Sequence, residues 1–120
     1  MNQLPQSNLR EWLGWLVGRR KLVQVTGLSM TPLLQPGDRL FVNPHAYRQV
    51  PPQDGDLVVA RHPHQPNLTI IKRVAFTTLD QRCYLLSDNQ AEGSDSRSFG
   101  FLPFDQILGQ VTSRVTGQDP

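Results

Sequence analysis

The sequence has one cysteine, three histidines and no long apolar run, and each scarcity removes a class of protein. Cys83 alone can form no internal disulfide and supplies no set for a structural zinc, which fits a reducing compartment. His45, His62 and His64 all sit in proline-flanked segments, so no Ser-His-Asp case can be made. No third ligand lies near His62 and His64 in sequence, and surface loop histidines are expected there rather than a metal site. No stretch approaches the roughly 20 apolar residues that span a bilayer, and no secretory signal pattern is present. Lys and Arg number 12 against 10 Asp and Glu, and the net charge of +2 is not gathered into a basic block. Phosphate neutralisation therefore gives no reason to expect a nucleic-acid partner.

What is plentiful is turn chemistry: 9 Gly and 10 Pro in 120 residues, with helix-length apolar periodicity appearing once. That pattern predicts a single, mainly β domain with a modest core and one short N-terminal helix. Asn8 is the expected cap, with Glu11 at the capping-box position. Leu9, Trp12, Leu13 and Leu16 follow on one apolar face, and Gly18 with Arg19, Arg20 and Lys21 closes the helix. Trp15 lies off that face. The helix is expected to pack on the domain or on a partner, or else to lie at a membrane surface with its indoles at headgroup level. Residues 1–7 are expected to be disordered. Strands are predicted over 22–25, 39–42, 57–60, 69–74, 82–86 and 107–115, with a hairpin-like loop over 62–66 and a polar loop over 87–100.

Two stretches carry chemistry. Val25-Thr26-Gly27-Leu28-Ser29-Met30-Thr31-Pro32, closed by Pro36-Gly37-Asp38, reads as a strand end, an exposed bend and a tight turn. Such a bend can present the Ser29 hydroxyl while its backbone N–H groups stay free for an oxyanion, although serines in Gly/Pro-rich loops are commonly only turn formers. In Thr69-Ile70-Ile71-Lys72-Arg73-Val74, strand alternation puts Lys72 on one face with Ile70 and Val74. On an inward face the amine would be desolvated and could act as a neutral base; on an edge it would be an ordinary solvated lysine. Arg73 points the other way and is expected to be structural or solvated. Asp95 and Arg97 are not expected to face each other on sequence proximity alone, but both can hold neighbouring backbone.

Gly-x-Ser-Met-x-Pro, then Pro-Gly-Asp, Lys-Arg-Val, Asp-Asn, and Asp-Ser-Arg before Phe-Gly resembles the S26 signal-peptidase clan over about residues 23–111. Within it the ordered set is most similar to the nickel-type superoxide dismutase maturation proteases. The resemblance implies a signal-peptidase/LexA-like β-rich catalytic core over 22–116, after a tail and amphipathic helix over 1–21, with a frayed tail over 117–120. It implies Ser29 as nucleophile and Lys72 as general base, with no cofactor and no metal of the enzyme's own. Met30 would pack beneath the nucleophile, and Asp88, Asn89, Asp95 and Arg97 would brace the site. Gly27 stands where some relatives carry a second hydroxyl donor to the oxyanion. Ser87 stands where the bracing box usually opens with glycine, and Gly93 where a serine often orients the lysine, so Ser94 or a water is left to do that.

The implied activity is removal of an N-terminal leader from a precursor protein, the precursor of a nickel superoxide dismutase. The alternatives are a minimal type I signal peptidase acting on exported proteins, a LexA/UmuD-like autoprotease, and a non-catalytic β binding module. The autoproteases cut themselves at Ala-Gly or Cys-Gly, and neither dipeptide occurs here. A cytoplasmic location is expected, with peripheral membrane contact through the N-terminal helix.

Overall fold

The structure, a computed structural model, describes residues 4–115. In chain order its elements are helix α1 (Leu9–Leu16) and strands β1 (Lys21–Gln24), β2 (Arg39–Asn43), β3 (Leu57–His62), β4 (Gln65–Thr77) and β5 (Arg82–Leu86). The short helix α2 (Ser96–Phe99), strand β6 (Leu102–Pro103), a 3-10 turn (Phe104–Gln106) and strand β7 (Ile107–Val115) complete it. The seven strands form one sheet in the order β1-β2-β7-β3-β4-β5-β6, every neighbouring pair antiparallel. The mainly β architecture with a short N-terminal helix is thus the one the turn-rich composition predicts.

Alternation sets the faces. Along β7 every second side chain from Ile107 to Val115 is buried, and β5 alternates in the same way. Two apolar clusters result. Val25, Met30, Leu34, Leu40, Val42 and Val59 belong to the first, under the Ser29 loop. Val58, Ala60, Val74, Cys83, Leu85 and Leu102 belong to the second. Burying a side chain such as Leu34 or Leu40 contributes about 1.5–3 kcal/mol, so the first cluster anchors the loop as well as the sheet. β4 is longer than the alternation over 69–74 suggests. His62 closes β3 and Gln65 opens β4, so the proline-containing hairpin is only two residues wide and the strands run up to it.

The N-terminal segment differs from the expectation in three ways. Gln6 bridges to Arg114, with backbone bonds Ser7 N–H to Arg114 O and Arg114 N–H to Pro5 O, so residues 5–7 lie along β7. The expected frayed tail, 117–120, lies outside the described residues. The Asn8 side chain does cap α1 by accepting from the Glu11 N–H, but the Glu11 carboxylate turns inward instead of closing the capping box. It accepts from Arg20, Ser113 and Thr112. Trp12 packs edge-on against Phe41 with ring centroids 5.1 Å apart. These two neighbours dock the helix, leaving Leu9 71% and Leu16 70% exposed. No helix among the described residues is long and apolar enough to cross a membrane.

Candidate active site

Ser29 rides on a loop whose ends are tied together. The Val25 N–H donates to Asp38 O and the Gly37 N–H to Val25 O, so the Pro-Gly-Asp turn closes the loop at its base. Within it the Thr31 hydroxyl and N–H both donate to Leu28 O, and the Leu34 N–H donates to Met30 O. Gly27 has φ +79°, a left-handed conformation, with open space where a side chain would stand. Met30 is buried in the first cluster beneath Ser29, and its Sδ accepts from the Asp88 N–H at 3.4 Å. Among the described residues no protein group bonds the Ser29 N–H.

Lys72 is 3% exposed, on the inward face of β4 opposite Val58. Its Nζ donates to the hydroxyl of Ser87, itself 2% exposed, at 2.9 Å. Burial pushes the amine below the ordinary lysine value; Asp95 partly offsets this and Arg97 adds to it. Among the described residues no carboxylate lies within ion-pair distance of Lys72. Ser29 and Lys72 meet over Gly93. A Cβ built on that glycine would stand 3.8 Å from Ser29 Oγ and 3.5 Å from Lys72 Nζ. Ser29 Oγ and Lys72 Nζ therefore border one small space. Among the described residues the hydroxyl that bonds the lysine is that of Ser87, not Ser94.

The expected bracing residues bond both backbone and side chains. The Asn89 N–H donates to Ser29 O at 2.8 Å and its side chain to Thr31 Oγ1 at 2.8 Å, fastening the nucleophile loop. Asp88 takes both prongs of Arg73 at 2.9 Å, so Arg73 is structural and ties β4 to the box. Asp95, fully buried, accepts from the Ser87 N–H and caps α2 through the Arg97 N–H. Its carboxyl lies below its ordinary value: burial opposes ionisation, but bonds from Arg97 and Ser87 outweigh it. Asp95 and Arg97 do pair, at 3.0 Å, because the cap of α2 folds the chain back within two residues. Arg97 also donates to Gln90 O, so it pins the 87–95 segment from its far side.

Ser29 and Lys72 line a groove of about 330 Å³ walled by Val23 to Gly27 on one side and Leu68 to Lys72 on the other. Apolar residues including Val25, Val59, Leu68, Ile70 and Ile71 line it. His62 lines it too. It is buried, packs against Phe99 and accepts at Nδ1 from the His64 N–H, so it is not the surface loop histidine its proline-flanked position suggests. Cys83 is no rival nucleophile: it is buried in the second cluster, with its thiol pushed up to about 11 by burial and by Asp56. The roles of Ser87 and His62 escaped sequence reasoning. Alternation along 82–87 could have signalled the first, since Ser87 continues the buried set of Cys83 and Leu85.

The sequence profile of the family described as signal peptidase, peptidase S26, matches residues 17–81 and 75–116. The chain belongs to the S26 signal peptidase family. It is 32% identical to the mitochondrial ATP-independent inner membrane protease subunit 1b of Arabidopsis thaliana, over 74% of this chain and 66% of that protein. Against the mitochondrial inner membrane protease subunit 1 of Xenopus tropicalis it is 28% identical, over 79% of this chain and 68% of the other. Against signal peptidase I of Pseudomonas aeruginosa it is 40% identical, over 73% of this chain and 39% of the other. The chain therefore spans about two thirds of the mitochondrial relatives and well under half of the bacterial one.

Proposed function

We propose that the chain is a serine endopeptidase in which Ser29 attacks a peptide carbonyl and Lys72 takes its proton. The observation that carries this is the buried Lys72 amine, without a carboxylate partner among the described residues, bordering the same space over Gly93 as Ser29 Oγ. As Oγ bonds the carbonyl carbon, its proton passes to Nζ, and the Ser29 N–H faces the developing oxyanion. Collapse breaks the C–N bond, and the leaving amine takes the proton from Lys72. Lys72 then draws a proton from water, the water oxygen adds to the acyl carbon, and the proton returns to Ser29 Oγ as the acyl group leaves. A base whose proton affinity burial lowers suits both halves of this cycle.

The groove suits an extended peptide. β1 is an edge strand paired only with β2, and β5 joins β4 only from Arg73 onward. Both walls thus have unpaired backbone to offer a strand-like substrate, with apolar side chains beneath it. The finer substrate we propose is the precursor of a nickel superoxide dismutase, on the strength of the motif resemblance. Loss of its leader would free an N-terminal histidine whose amine and imidazole bind nickel, a metal that belongs to the substrate. Co-expression with such a precursor, read by intact mass, tests it. Wild type should leave an N-terminal histidine, and Ser29→Ala and Lys72→Ala should leave the precursor whole. An untouched precursor with wild type overturns the substrate, and cleavage by Ser29→Ala overturns the mechanism.

A second reading, a signal peptidase acting on exported proteins, is favoured by the bare face of α1. Leu9, Leu13 and Leu16 are exposed there beside Arg10 and Arg19. A cytoplasmic enzyme touching a membrane through this helix is compatible with either substrate. Retention in the membrane fraction at high salt, together with trimming of an exported precursor, would favour the second reading.

A further inference from the structure

Gly93 and Ser87 both stand against the Lys72 amine in the structure. Position 93 has φ +71°, and a Cβ there would come within 3.0 Å of the Ser29 Cβ. A serine at 93 would therefore strain its backbone and press on the nucleophile it is meant to serve. The hydroxyl that reaches the amine is that of Ser87, just past the end of β5. Resting on the peptidase reading above, we propose that Ser87 is the positioning residue that aims the Lys72 amine at Ser29.

The geometry supports more than a chance contact. Both partners are buried, so water does not compete freely for the bond. Ser87 is itself held: its N–H donates to Asp95 Oδ2 at 2.9 Å, and Arg97 holds Asp95 from the outside. Asp95 and Arg97 thus reach the lysine through the Ser87 backbone. A neutral amine has two N–H groups and one lone pair. Giving one N–H to Ser87 fixes the rotation about Cε–Nζ and leaves the lone pair to take the Ser29 proton. The charged groups acting on Lys72 are Asp95 and Arg97, and His62 lines the same groove.

The sign of a pH effect separates positioning from mere packing. Ser87 accepts from Lys72, and an acceptor favours the ammonium form. Removing it without opening the pocket makes the amine less basic, so the midpoint of the rate profile moves to lower pH while the plateau falls. A pocket that opens to water instead hydrates the amine and moves the midpoint to higher pH.

The test is the rate of Ser29 acylation by a penem probe across pH, followed by intact mass and peptide mapping, in the full chain. Wild type, Ser29→Ala, Ser87→Ala and Ser87→Cys are compared. The cysteine variant keeps the shape of serine with a weak acceptor, so it supplies a folded protein even where alanine collapses the pocket. Both Ser87 variants should lose at least about ten-fold in plateau rate, with a midpoint at or below that of wild type. A smaller loss, or any loss with a more alkaline midpoint, overturns the positioning role alone. Absence of Ser29-dependent labelling in wild type would instead remove the peptidase reading, and this role with it.

Discussion

Glu11 and Lys72 are both withdrawn from water, at 8% and 3% exposure, and the protein treats them in opposite ways. Around Glu11 three donors converge, from Arg20, Thr112 and Ser113. Burial alone would raise its carboxyl, but those bonds outweigh it and hold the group below the usual carboxylate value. Lys72 bonds one hydroxyl and, among the described residues, has no ion-paired carboxylate, so burial prevails and lowers the amine below its ordinary value. Similar desolvation gives a fixed charge in one place and a labile proton in the other. The number of partners decides which. Glu11 fastens a helix to β7. Lys72 is left under-compensated beside a serine.

The sharpest way to break this contrast is Lys72→Met. Acylation of Ser29 should fall by about a thousand-fold. Stability should rise by roughly 4 °C in melting temperature, because an uncompensated amine leaves the interior. The pH dependence follows from the sign of the shift. The folded value lies below the ordinary 10.5, so between the two the unfolded chain binds more protons. Stability from this group is greatest above 10.5 and is lost as pH falls through the folded value. Urea melts at several alkaline pH values should show that slope in wild type and a flatter one in Lys72→Met. A destabilised Lys72→Met would mean that the amine is better compensated than its contacts show.

Gly93→Ser comes next, with a loss of about a hundred-fold in acylation as the new Cβ displaces Ser29. Glu11→Gln should cost about 2 kcal/mol by urea melt and leave the acylation rate unchanged. Its carboxyl is depressed from 4.5, so the stability it confers is present above that value and lost as pH falls through the folded one. The gap between wild type and Glu11→Gln should therefore close in acid. The smallest effect is that of Leu13→Ser, an exposed position on α1 whose replacement should change stability by less than about 0.5 kcal/mol.

Much of the fold was legible because period-2 alternation and Gly/Pro punctuation are local. The strand carrying Lys72 and the closing strand with its alternating faces follow from them directly. The orientation of α1 was not legible. Its apolar stripe of Leu9, Trp12, Leu13 and Leu16 reads as the docking face, yet only Trp12 of these packs on Phe41, and Glu11 docks beside it through residues 20, 112 and 113. The same holds at the site. Alternation groups Lys72 with Ile70 and Val74 but leaves open whether that face is inward, and its partner Ser87 lies fifteen residues on, across the β4–β5 pairing. Likewise α2 reads as polar loop, since four residues capped by Asp95 carry no periodicity.

The most direct test of the central claim is the pH profile of penem acylation in wild type beside Ser29→Ala. The account predicts label on Ser29 alone, with a rate that rises through a single midpoint below the ordinary lysine value of 10.5. Label that survives Ser29→Ala, or a midpoint at the ordinary lysine value, would contradict it.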